Sequence, residues 1–410
     1  MELKAEKSFR VIIIGDVSYP SGAAPSNRVH LYCKALKESN HLPFVINVSS
    51  VHKGNQELNF LQRFEGIPFY YCQKNPMYEN NFIKRNLRKI KGVFNSFFVI
   101  LRLINNKEAS VLFYSLNLRY EMVYFIFLKL LNIPIIKEIN EAPLFIIKNK
   151  KFRRAHVWIH KNIMLRMFDR LIVISNYLKN FYSSLLPAKS IFQIPILVDI
   201  ERFEGRCENN NNFEKIITYV GFMGGNKDGL DNLIEAFGKV KEKENSFKVQ
   251  LVGNGPEKDI RRLKEQVLFL KLEDHISFLG SRSSSEIPEI LSKSDLLVLA
   301  RPDSNQAKAG FPTKLGEYLA SKKPVVITKT GEICNFLEDN KSAYLVNAEQ
   351  PELFAERIIF ALNDVKAQTI GLNGYTVAME NFNYKLYKQL LSKIFTDFSA
   401  NKFTNHNTRN

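Results

Sequence analysis

Cysteine is scarce in this chain, with four residues among 410. They lie far apart, and none forms a CxxC motif or a cluster with histidine; they are Cys33, Cys72, Cys207 and Cys334. This pattern excludes a disulfide framework and a zinc site, and it favours a reducing compartment. The seven histidines likewise suggest no catalytic triad and no metal site.

Long hydrophobic runs are also absent. The first apolar segment, 11–14, is far shorter than the core of a signal peptide. The most apolar stretches, 93–104 and 122–136, are interrupted by Arg102 and Lys129, and neither reaches the roughly 18 to 20 residues that a spanning helix needs. We therefore expect no secretion, no transmembrane segment and a cytoplasmic location.

Glycine and proline are few, at 19 and 15, and hydrophobic residues make up 45% of the chain, which excludes disordered and collagen-like classes. Short apolar runs alternate with longer amphipathic stretches, as in strand–helix units on a parallel sheet. The predicted strands are 11–14, 44–48, 110–114, 133–136 and 170–174 in the first half, and 215–220, 248–252, 276–278, 296–299, 324–327 and 343–345 in the second.

The length predicts two domains of about 200 residues each. The segment 195–206 and the polar run 208–214 cannot build a core and indicate a linker, so we place the boundary near residue 200. The predicted fold class is α/β, with doubly wound domains at 1–200 and 201–379 and a polar tail at 396–410. Ligands bind beyond the carboxyl ends of parallel strands, so two such domains facing each other would form a cleft.

The densest motif is AGFPTKLGEYLA at 309–320. Gly310 frees the backbone to approach a ligand, Pro312 rigidifies the turn, and the residues 313–315 would begin a helix whose amino end attracts phosphate. Lys314 adds a positive charge there. An ordinary helix start remains the alternative.

Glu317 would share one helix face with Thr313 and Lys314, since it follows them by four and three positions. Its carboxylate could accept hydrogen bonds from a sugar diol. The alternative is a solvated surface glutamate.

Two glycine-containing loops follow predicted first strands. GFMGGNKDG at 221–229 carries Lys227 near the next helix start, where charge and backbone donors would hold a diphosphate, and PSGAAPSNR at 20–28 occupies the equivalent place in the first domain. Taken singly, each loop is typical of a plain turn, because neither fits the dinucleotide or P-loop pattern. Their occurrence together is what favours a binding site.

The ordered motifs resemble those of the retaining GT-B glycosyltransferases of the group 1 class, glycosyltransferase family 4. The similarity covers roughly residues 10 to 390. Further segments that carry it are KEINEAP at 137–143, DRLIVISNYL at 169–178, IPILVDIERF at 194–203, VGNGPE at 252–257, SFLGSR at 277–282 and SDLLVLARPDS at 294–304.

This resemblance implies two Rossmann-like domains, with the nucleotide-sugar donor held mainly by the second, the acceptor by the first, and C-terminal helices at about 380–395 crossing back to the first. Lys227 would bind the donor diphosphate, Glu317 the ribose hydroxyls, and Arg282 would border the base. The other donor-side positions implied are Gly22, Ala23 and Ala24 on the first domain, and Gly221, Asn226, Gly310, Phe311, Pro312, Thr313 and Leu315 on the second.

Two positions depart from the family pattern. Ala309 stands eight residues before Glu317, where the family has a second glutamate that contacts the donor sugar. Phe222 stands after Gly221, where the family commonly has arginine. We expect Lys314 to supply the missing phosphate cation and, with Lys227 and Glu317, to form the catalytic set.

Three acidic residues follow predicted strands of the first domain: Asp16, Glu138 and Glu141. They would orient an acceptor, or alternatively cap helices and hold loops. The resemblance predicts no cofactor and no catalytic metal.

Acidic residues are depleted from the first half. Residues 1–195 carry 29 basic and 12 acidic side chains and 196–410 carry 29 of each, so the whole net charge of +17 lies in the first half. The segments 82–107 and 145–168 each hold seven basic residues and no acid, interleaved with apolar residues. Such basic amphipathic helices bind anionic membranes. A solvated basic face is the alternative, and no nucleic-acid-binding motif accompanies the charge.

These observations predict a metal-independent, hexosyltransferase-like enzyme, peripheral at the inner face of the cell membrane. It would transfer a sugar to a lipid-linked or polysaccharide acceptor in bacterial surface-glycan synthesis, such as capsule or lipopolysaccharide. The alternatives are another GT-B activity, such as a nucleotide-sugar epimerase, and a non-catalytic glycan or nucleotide-sugar binding protein.

Overall fold

The computed structural model describes residues 8–20, 24–48, 61–72, 82–104, 108–116, 118–141, 158–159, 162–163, 165–187, 189–205 and 214–398. The chain forms two units: unit 1 combines Met1–Ile194 with Tyr384–Asn410, and unit 2 is Pro195–Asn383. Unit 2 begins six residues before the predicted position 201, and the chain rejoins unit 1 close to the predicted residue 380. Most of the predicted polar tail, 399–410, lies outside the described residues.

Unit 1 is built on an eight-stranded sheet with the order β3-β4-β2-β1-β5-β6-β7-β8. Its strands are β1 (Arg10–Gly15), β2 (Leu42–Asn47), β3 (Leu61–Phe64), β4 (Ile67–Tyr71), β5 (Ala109–Tyr114), β6 (Ile135–Ile139), β7 (Arg170–Val173) and β8 (Ser190–Gln193). Every pair is parallel except β3 with β4. The central strands β1 and β5 are mostly apolar and buried beyond their first residue, as expected where both faces of a parallel sheet are covered, and β6 is buried along its length although it contains Lys137 and Glu138.

The helices described in unit 1 before the chain enters unit 2 are α1 (Ala24–Glu38), α2 (Phe82–Ile104), α3 (Leu118–Leu130), α4 (Leu165–Met167) and α5 (Asn176–Leu185). Ser175 caps α5, its hydroxyl accepting a hydrogen bond from the amide of Leu178 at 3.2 Å. Within the described parts of the chain, no helix is long and apolar enough to cross a membrane.

Unit 2 carries a six-stranded, wholly parallel sheet with the order β11-β10-β9-β12-β13-β14. Its strands are β9 (Lys215–Val220), β10 (Phe247–Val252), β11 (Ile276–Gly280), β12 (Leu296–Leu299), β13 (Val325–Thr328) and β14 (Tyr344–Val346). Its helices are α6 (Leu230–Lys241), α7 (Glu257–Phe269), α8 (Ile287–Ser292), α9 (Asn305–Ala309), α10 (Thr313–Ala320), α11 (Ile333–Phe336), α12 (Pro351–Asn363) and α13 (Ala367–Asn381), with a 3-10 turn at Ile200–Phe203.

The chain returns to unit 1 through a 3-10 turn (Tyr384–Tyr387) and α14 (Lys388–Thr396). The Tyr384 hydroxyl donates to Glu38 at the end of α1 at 2.5 Å. The guanidinium of Arg170, at the start of β7, donates to the carbonyls of Lys393 and Ile394 at 2.7 Å each. These bonds satisfy carbonyls at the end of α14 and anchor it to unit 1.

The predicted strands all correspond to observed ones, but three observed strands have no predicted counterpart. β4 contains Pro68, and proline within an apolar run weakens a strand prediction. β3 is the antiparallel partner of β4 and is mostly exposed, so it lacks an apolar pattern. β8 is a half-buried edge strand of four residues.

Gly238, in the middle of α6, has room for a side chain, because a Cβ there would lie 3.6 Å from Leu270. We expect Gly238→Ala to raise the free energy of unfolding by about 0.5–1 kcal/mol, since alanine loses less backbone entropy on folding. Thermal melting followed by circular dichroism measures this. Gly371→Ala in α13 is the contrast and should lower the melting temperature, because its Cβ would overlap the carbonyl of Lys322. A Gly238→Ala melting temperature at or below that of the parent would contradict the prediction.

Candidate functional site: the carboxyl edge of the unit 2 sheet

The strands β9 and β12 are neighbours, and the sheet grows from them in opposite directions, through β10 and β11 on one side and β13 and β14 on the other. This is the topological switch point at which open parallel sheets bind ligands. The loop 221–229 follows β9, and Ala300 and Arg301 follow β12. Side chains from both loops can therefore meet at one place.

Lys314 lies at this edge, in the first turn of α10. Its Nζ forms an ion pair with the carboxylate of Asp228. It also donates to the Tyr219 hydroxyl at 3.1 Å and lies 4.6 Å from the centroid of that ring. The Tyr219 hydroxyl in turn donates to Asp228 at 2.8 Å. The three side chains thus form a closed, largely buried hydrogen-bonded cluster.

Helix α10 is held in place by its next turn. Tyr318 follows Lys314 by four residues and lies on the same face of the helix. Its buried hydroxyl accepts a hydrogen bond from the amide of Val220, the last residue of β9, at 2.7 Å. Gly316 permits close packing, since a Cβ there would lie 3.2 Å from Val198. The start of α10 is therefore fixed against the carboxyl end of β9.

Positive charge exceeds negative charge in this cluster. Arg301 is buried, and its Nε lies 4.0 Å from Asp228. Burial lowers the pKa of Lys314; Asp228 opposes this shift, while the charges of Arg301 and Lys227 add to it. Burial would raise the pKa of Asp228, but Lys314 and Arg301 outweigh it and hold that pKa below its usual value. Three cations around one carboxylate make a site suited to a polyanion such as a diphosphate.

Glu317 lies one turn beyond Thr313 in α10, on the same helix as Lys314. Its carboxylate pairs with Arg202 at 3.1 Å, and both side chains remain partly accessible. Arg202 also donates to the Ser284 hydroxyl at 3.0 Å and to the Ser284 carbonyl. Arg202 thus connects Glu317 to the loop after β11. This loop contains Arg282, which the family resemblance implies would border the nucleotide base.

The start of α10 offers fewer backbone donors than the sequence suggests. Helix α10 begins at Thr313, as predicted. The Gly310 amide, however, donates to the Gln306 carbonyl at 3.0 Å, and Pro312 has no N–H. The predicted set of amides therefore reduces to those of Phe311 and Thr313.

Two predicted donor-side residues are part of the core. Leu315 is fully buried, and Phe311 packs edge-on against Phe336 with ring centroids 5.4 Å apart. Only their backbone atoms can face a ligand. Ala309, the last residue of α9, is buried as well. Because this residue is an alanine, it offers no carboxylate where the resembled family has its first glutamate.

The remaining second-domain positions are accessible. Asn226 and Lys227 are exposed in the loop after β9, and Phe222 is 59% exposed. Arg282 follows β11 and lies 3.8 Å from Glu286. It lines a cavity of about 300 Å³ with Ile216, Gln250, Leu279, Glu286, Glu289, Ile290 and Lys293. Neither Lys314 nor Glu317 lines that cavity, so the cavity does not bring Arg282 together with either residue.

The first-domain residues differ in accessibility. Glu138 is buried: it pairs with Arg28 at 2.5 Å and accepts from the Tyr32 hydroxyl at 3.1 Å. Burial raises the pKa of Glu138, although Arg28 opposes the shift. Arg28 also donates to the Ile194 carbonyl at 2.7 Å, so the carboxylate joins α1, β6 and the segment after β8. This buried pairing favours the alternative given for Glu138, a carboxylate that holds loops, over the predicted orientation of an acceptor.

Asp16 is exposed directly after β1, and Glu141 is partly buried after β6. Ala24 is the exposed first residue of α1. Gly22 and Ala23, predicted to close on the diphosphate, lie outside the described residues.

Sequence reasoning missed Asp228, Tyr219, Arg301 and Arg202. Asp228 directly follows the predicted Lys227. It could have been identified from the sequence, because a carboxylate in a phosphate-binding loop requires a neighbouring cation. Tyr219 lies inside a strand, and Arg301 and Arg202 lie in the segments 294–304 and 194–203, whose patterns do not indicate which residues they contact. No spacing rule would have found those three.

Comparisons with known proteins concern the chain as a whole. Residues 214–364 match the family model for glycosyl transferases group 1. An uncharacterized glycosyltransferase of Methanocaldococcus jannaschii is 24% identical over 377 residues, covering 89% of this chain and 99% of the relative. Alpha-monoglucosyldiacylglycerol synthase of Streptococcus pneumoniae is 19% identical over 404 residues, covering 95% of this chain and 87% of the relative.

Among solved structures, the Anabaena protein HepE in complex with UDP and glucose superposes with a TM-score of 0.69 at 16% identity, covering 93% of this chain and 98% of that one. The predicted α/β fold of the GT-B class is confirmed. The comparisons as a whole support a glycosyltransferase. Among the described residues, no three His, Cys, Asp or Glu side chains gather into a metal-binding group.

Proposed function

We propose that this protein is a retaining, family 4-type glycosyltransferase that transfers a hexose-like sugar from a nucleotide-diphosphate sugar to a lipid-linked or polysaccharide acceptor. The observation that carries the proposal is the buried Lys314–Asp228–Tyr219 cluster at the switch point, with Arg301 and Lys227 beside it. It is supported by the family-model match, whose range contains all five residues. The UDP and glucose bound by the Anabaena structure support the donor class.

Breaking the bond between the sugar and the diphosphate leaves negative charge on the departing phosphate. Lys227 is exposed and would contact that phosphate, while Lys314 is partly desolvated, so its charge would act more strongly than in water. Asp228 and Tyr219 hold the Lys314 ammonium in one orientation before the donor arrives. These residues would therefore stabilise the leaving group electrostatically without reorganisation during the reaction.

Glu317 would accept hydrogen bonds from the ribose hydroxyls of the donor. Arg202 occupies one carboxylate oxygen of Glu317, which leaves the other to the sugar diol. Anchoring through Ser284 would place this carboxylate relative to the base-side loop. Glu317 is thus a donor-binding residue, and Arg202 positions it.

In the retaining reaction, the acceptor hydroxyl forms a bond to the anomeric carbon on the face from which the phosphate departs. The hydroxyl proton passes to an oxygen of the leaving phosphate, so no protein base is required. The cations of the chain supply the charge compensation, and we propose that transfer needs no divalent metal and no cofactor. Addition of EDTA should leave the rate unchanged.

We also propose that the enzyme works at the cytoplasmic face of the cell membrane in surface-glycan synthesis, such as that of capsule or lipopolysaccharide. The acid-free segments 82–107 and 145–168 support contact with an anionic surface, and they accompany no nucleic-acid-binding motif. Much of 145–168 lies outside the described residues; in its described part, Trp158 and Ile163 are exposed. The name of the streptococcal relative, a glycolipid synthase, supports a lipid-linked acceptor.

A panel of UDP-, GDP- and ADP-sugars tests the proposal, with donor hydrolysis and sugar transfer measured for each and the anomeric configuration of the product determined by NMR. One donor should be consumed with retention of configuration. Donor binding without turnover would instead indicate a binding protein, and release of an epimerised sugar would indicate an epimerase.

Glu317→Gln should lower kcat/KM for the donor by about 10- to 100-fold, chiefly through KM, because one charge-assisted hydrogen bond to the ribose is weakened. Arg202→Met should give a similar loss, and the double variant should lose clearly less than the two single losses combined, since both act on one contact. Glu338→Gln is the matched control, as the Glu338 side chain is exposed and pairs with Lys341 at 2.8 Å on the surface. Full activity in Glu317→Gln would remove Glu317 from the site.

A further inference from the structure

Helix α2 exposes a continuous apolar stripe. Its residues follow one another at intervals of three or four, the spacing of a single helix face, and each is between 41% and 65% exposed. They are Leu87, Ile90, Phe94, Phe98 and Leu101. We refer to these five residues as the α2 stripe.

The α2 stripe is not the face by which the helix joins unit 1. Val93, Ser96 and Ile100 are buried on a different side of the helix. Gly92 packs so closely that a Cβ there would lie 2.7 Å from the Cys72 carbonyl oxygen. The Ser96 hydroxyl is hydrogen-bonded to Tyr124 at 2.7 Å. The helix is therefore fixed through one face and cannot rotate the stripe inward.

Helix α3 extends the apolar surface. Phe97 of α2 stacks on Phe127 of α3 with ring centroids 4.0 Å apart. Beside this contact, α3 exposes Val123, Ile126 and Leu130, the last being 79% exposed. Eight exposed apolar residues thus lie on two helices that contact each other, whereas exposed hydrophobic residues are usually scattered singly on a protein surface.

The charged residues of helix α2 have one sign. Helix α2 contains six basic residues and no acidic one: Lys84, Arg85, Arg88, Lys89, Lys91 and Arg102. Lys91 and Arg102 are exposed, and each follows a stripe residue by four positions, so they border the stripe. A second copy of this chain would bring two such basic helices together, which like-charge repulsion opposes. An anionic surface satisfies both the charge and the apolar area.

We propose that the α2 stripe and the exposed side of α3 insert into the headgroup and acyl boundary of an anionic bilayer, while the bordering basic residues contact lipid phosphates. The proposal rests on the peripheral location proposed above and deepens it, because it replaces purely electrostatic attraction by insertion of named apolar side chains.

Co-sedimentation of the full chain with vesicles tests the insertion. Vesicles of phosphatidylcholine with phosphatidylglycerol should bind the protein far more strongly than vesicles of phosphatidylcholine alone. Phe94→Ser/Phe98→Ser should lower the partition coefficient at least about tenfold, because two large apolar side chains leave the boundary. Phe269→Ser is the matched control: Phe269 is 85% exposed in unit 2 and should have no effect. Leu130→Ser provides a second variant at a site too exposed to disturb folding, and it should also weaken binding.

Charge is tested separately. Lys91→Glu/Arg102→Glu should weaken binding to the anionic vesicles, whereas Lys258→Glu, an exposed position in unit 2, should leave it unchanged. Unaltered partition of both the phenylalanine variant and Leu130→Ser would overturn insertion. Light scattering provides a further test. If it shows that the parent protein is a dimer and that the phenylalanine variant is a monomer, the face would be assigned to a second copy, and the proposal would be overturned as well. Since no sugar donor enters these measurements, their failure would leave the proposed transfer reaction standing.

Discussion

Replacement of Lys314 by alanine should lower kcat for sugar transfer by about 10²- to 10³-fold, the usual effect of removing one preorganised group that stabilises developing charge. The ammonium is held by Asp228 and Tyr219 before substrate binds, so no other side chain can take its position without rearrangement. Initial-rate kinetics with the donor found by the panel measure the loss.

Removal of Lys314 also leaves the Asp228 carboxylate buried without its ammonium partner, next to the Tyr219 hydroxyl at 2.8 Å and the Arg301 Nε at 4.0 Å, so stability should fall by about 1–3 kcal/mol. The double variant Lys314→Ala/Asp228→Asn should recover most of that stability, because the buried charge is gone, but none of the activity. This separates a catalytic cation from a purely structural ion pair. Lys308→Ala is the matched control, since Lys308 is an exposed lysine of α9 paired with Asp303 at 3.4 Å. Recovery of activity in the double variant would contradict a catalytic role.

Gly221→Ala should reduce transfer by about 10- to 100-fold, although it adds a single methyl group. A Cβ at Gly221 would overlap Lys314 Nζ and the Tyr219 hydroxyl, and neither atom can withdraw without breaking the bonds to Asp228. The ammonium would therefore move away from the position that it holds in the free protein, and a displacement of this size at a charge-stabilising group is costly.

The same kinetics, together with melting curves, measure the Gly221→Ala effect. Gly238→Ala makes the identical substitution in a neighbouring element of unit 2 with room for the methyl group, and it should retain full activity. Because Gly221 acts through Lys314, the double variant Gly221→Ala/Lys314→Ala should be no slower than Lys314→Ala alone. An additive loss would show that the glycine serves another purpose.

The central strands of both sheets could be predicted from the sequence because parallel strands buried on both faces are continuous apolar runs, as Val11 to Ile14 and Leu296 to Leu299 are. The edge strands β3 and β8 could not, since pairing at an edge demands little of the sequence, and β4, which lies next to β3, contains Pro68. The start of α10 and the proximity of Lys227 to Lys314 also follow from local motifs.

What local motifs cannot supply is the identity of partners that tertiary structure brings together. Arg202 is 115 residues from Glu317 along the chain and still contacts it. Glu138 has the motif context of a functional acid, but its buried pairing with Arg28, 110 residues away, gives it a structural position. For α2, the sequence indicates an amphipathic helix but contains two apolar faces, and only packing shows which one is left in solvent.

The hydrogen bonds from Arg170 to the end of α14 have a consequence for how the chain folds during its synthesis on the ribosome. Unit 2 is one uninterrupted stretch, Pro195–Asn383, whereas unit 1 combines the beginning of the chain with residues from Tyr384 onward. The guanidinium of Arg170 meets its carbonyl partners on α14 only after another 223 residues have been made. Unit 2 can therefore fold from residues that emerge in one stretch, whereas unit 1, which emerges first, lacks α14 until residues beyond Asn383 have been made.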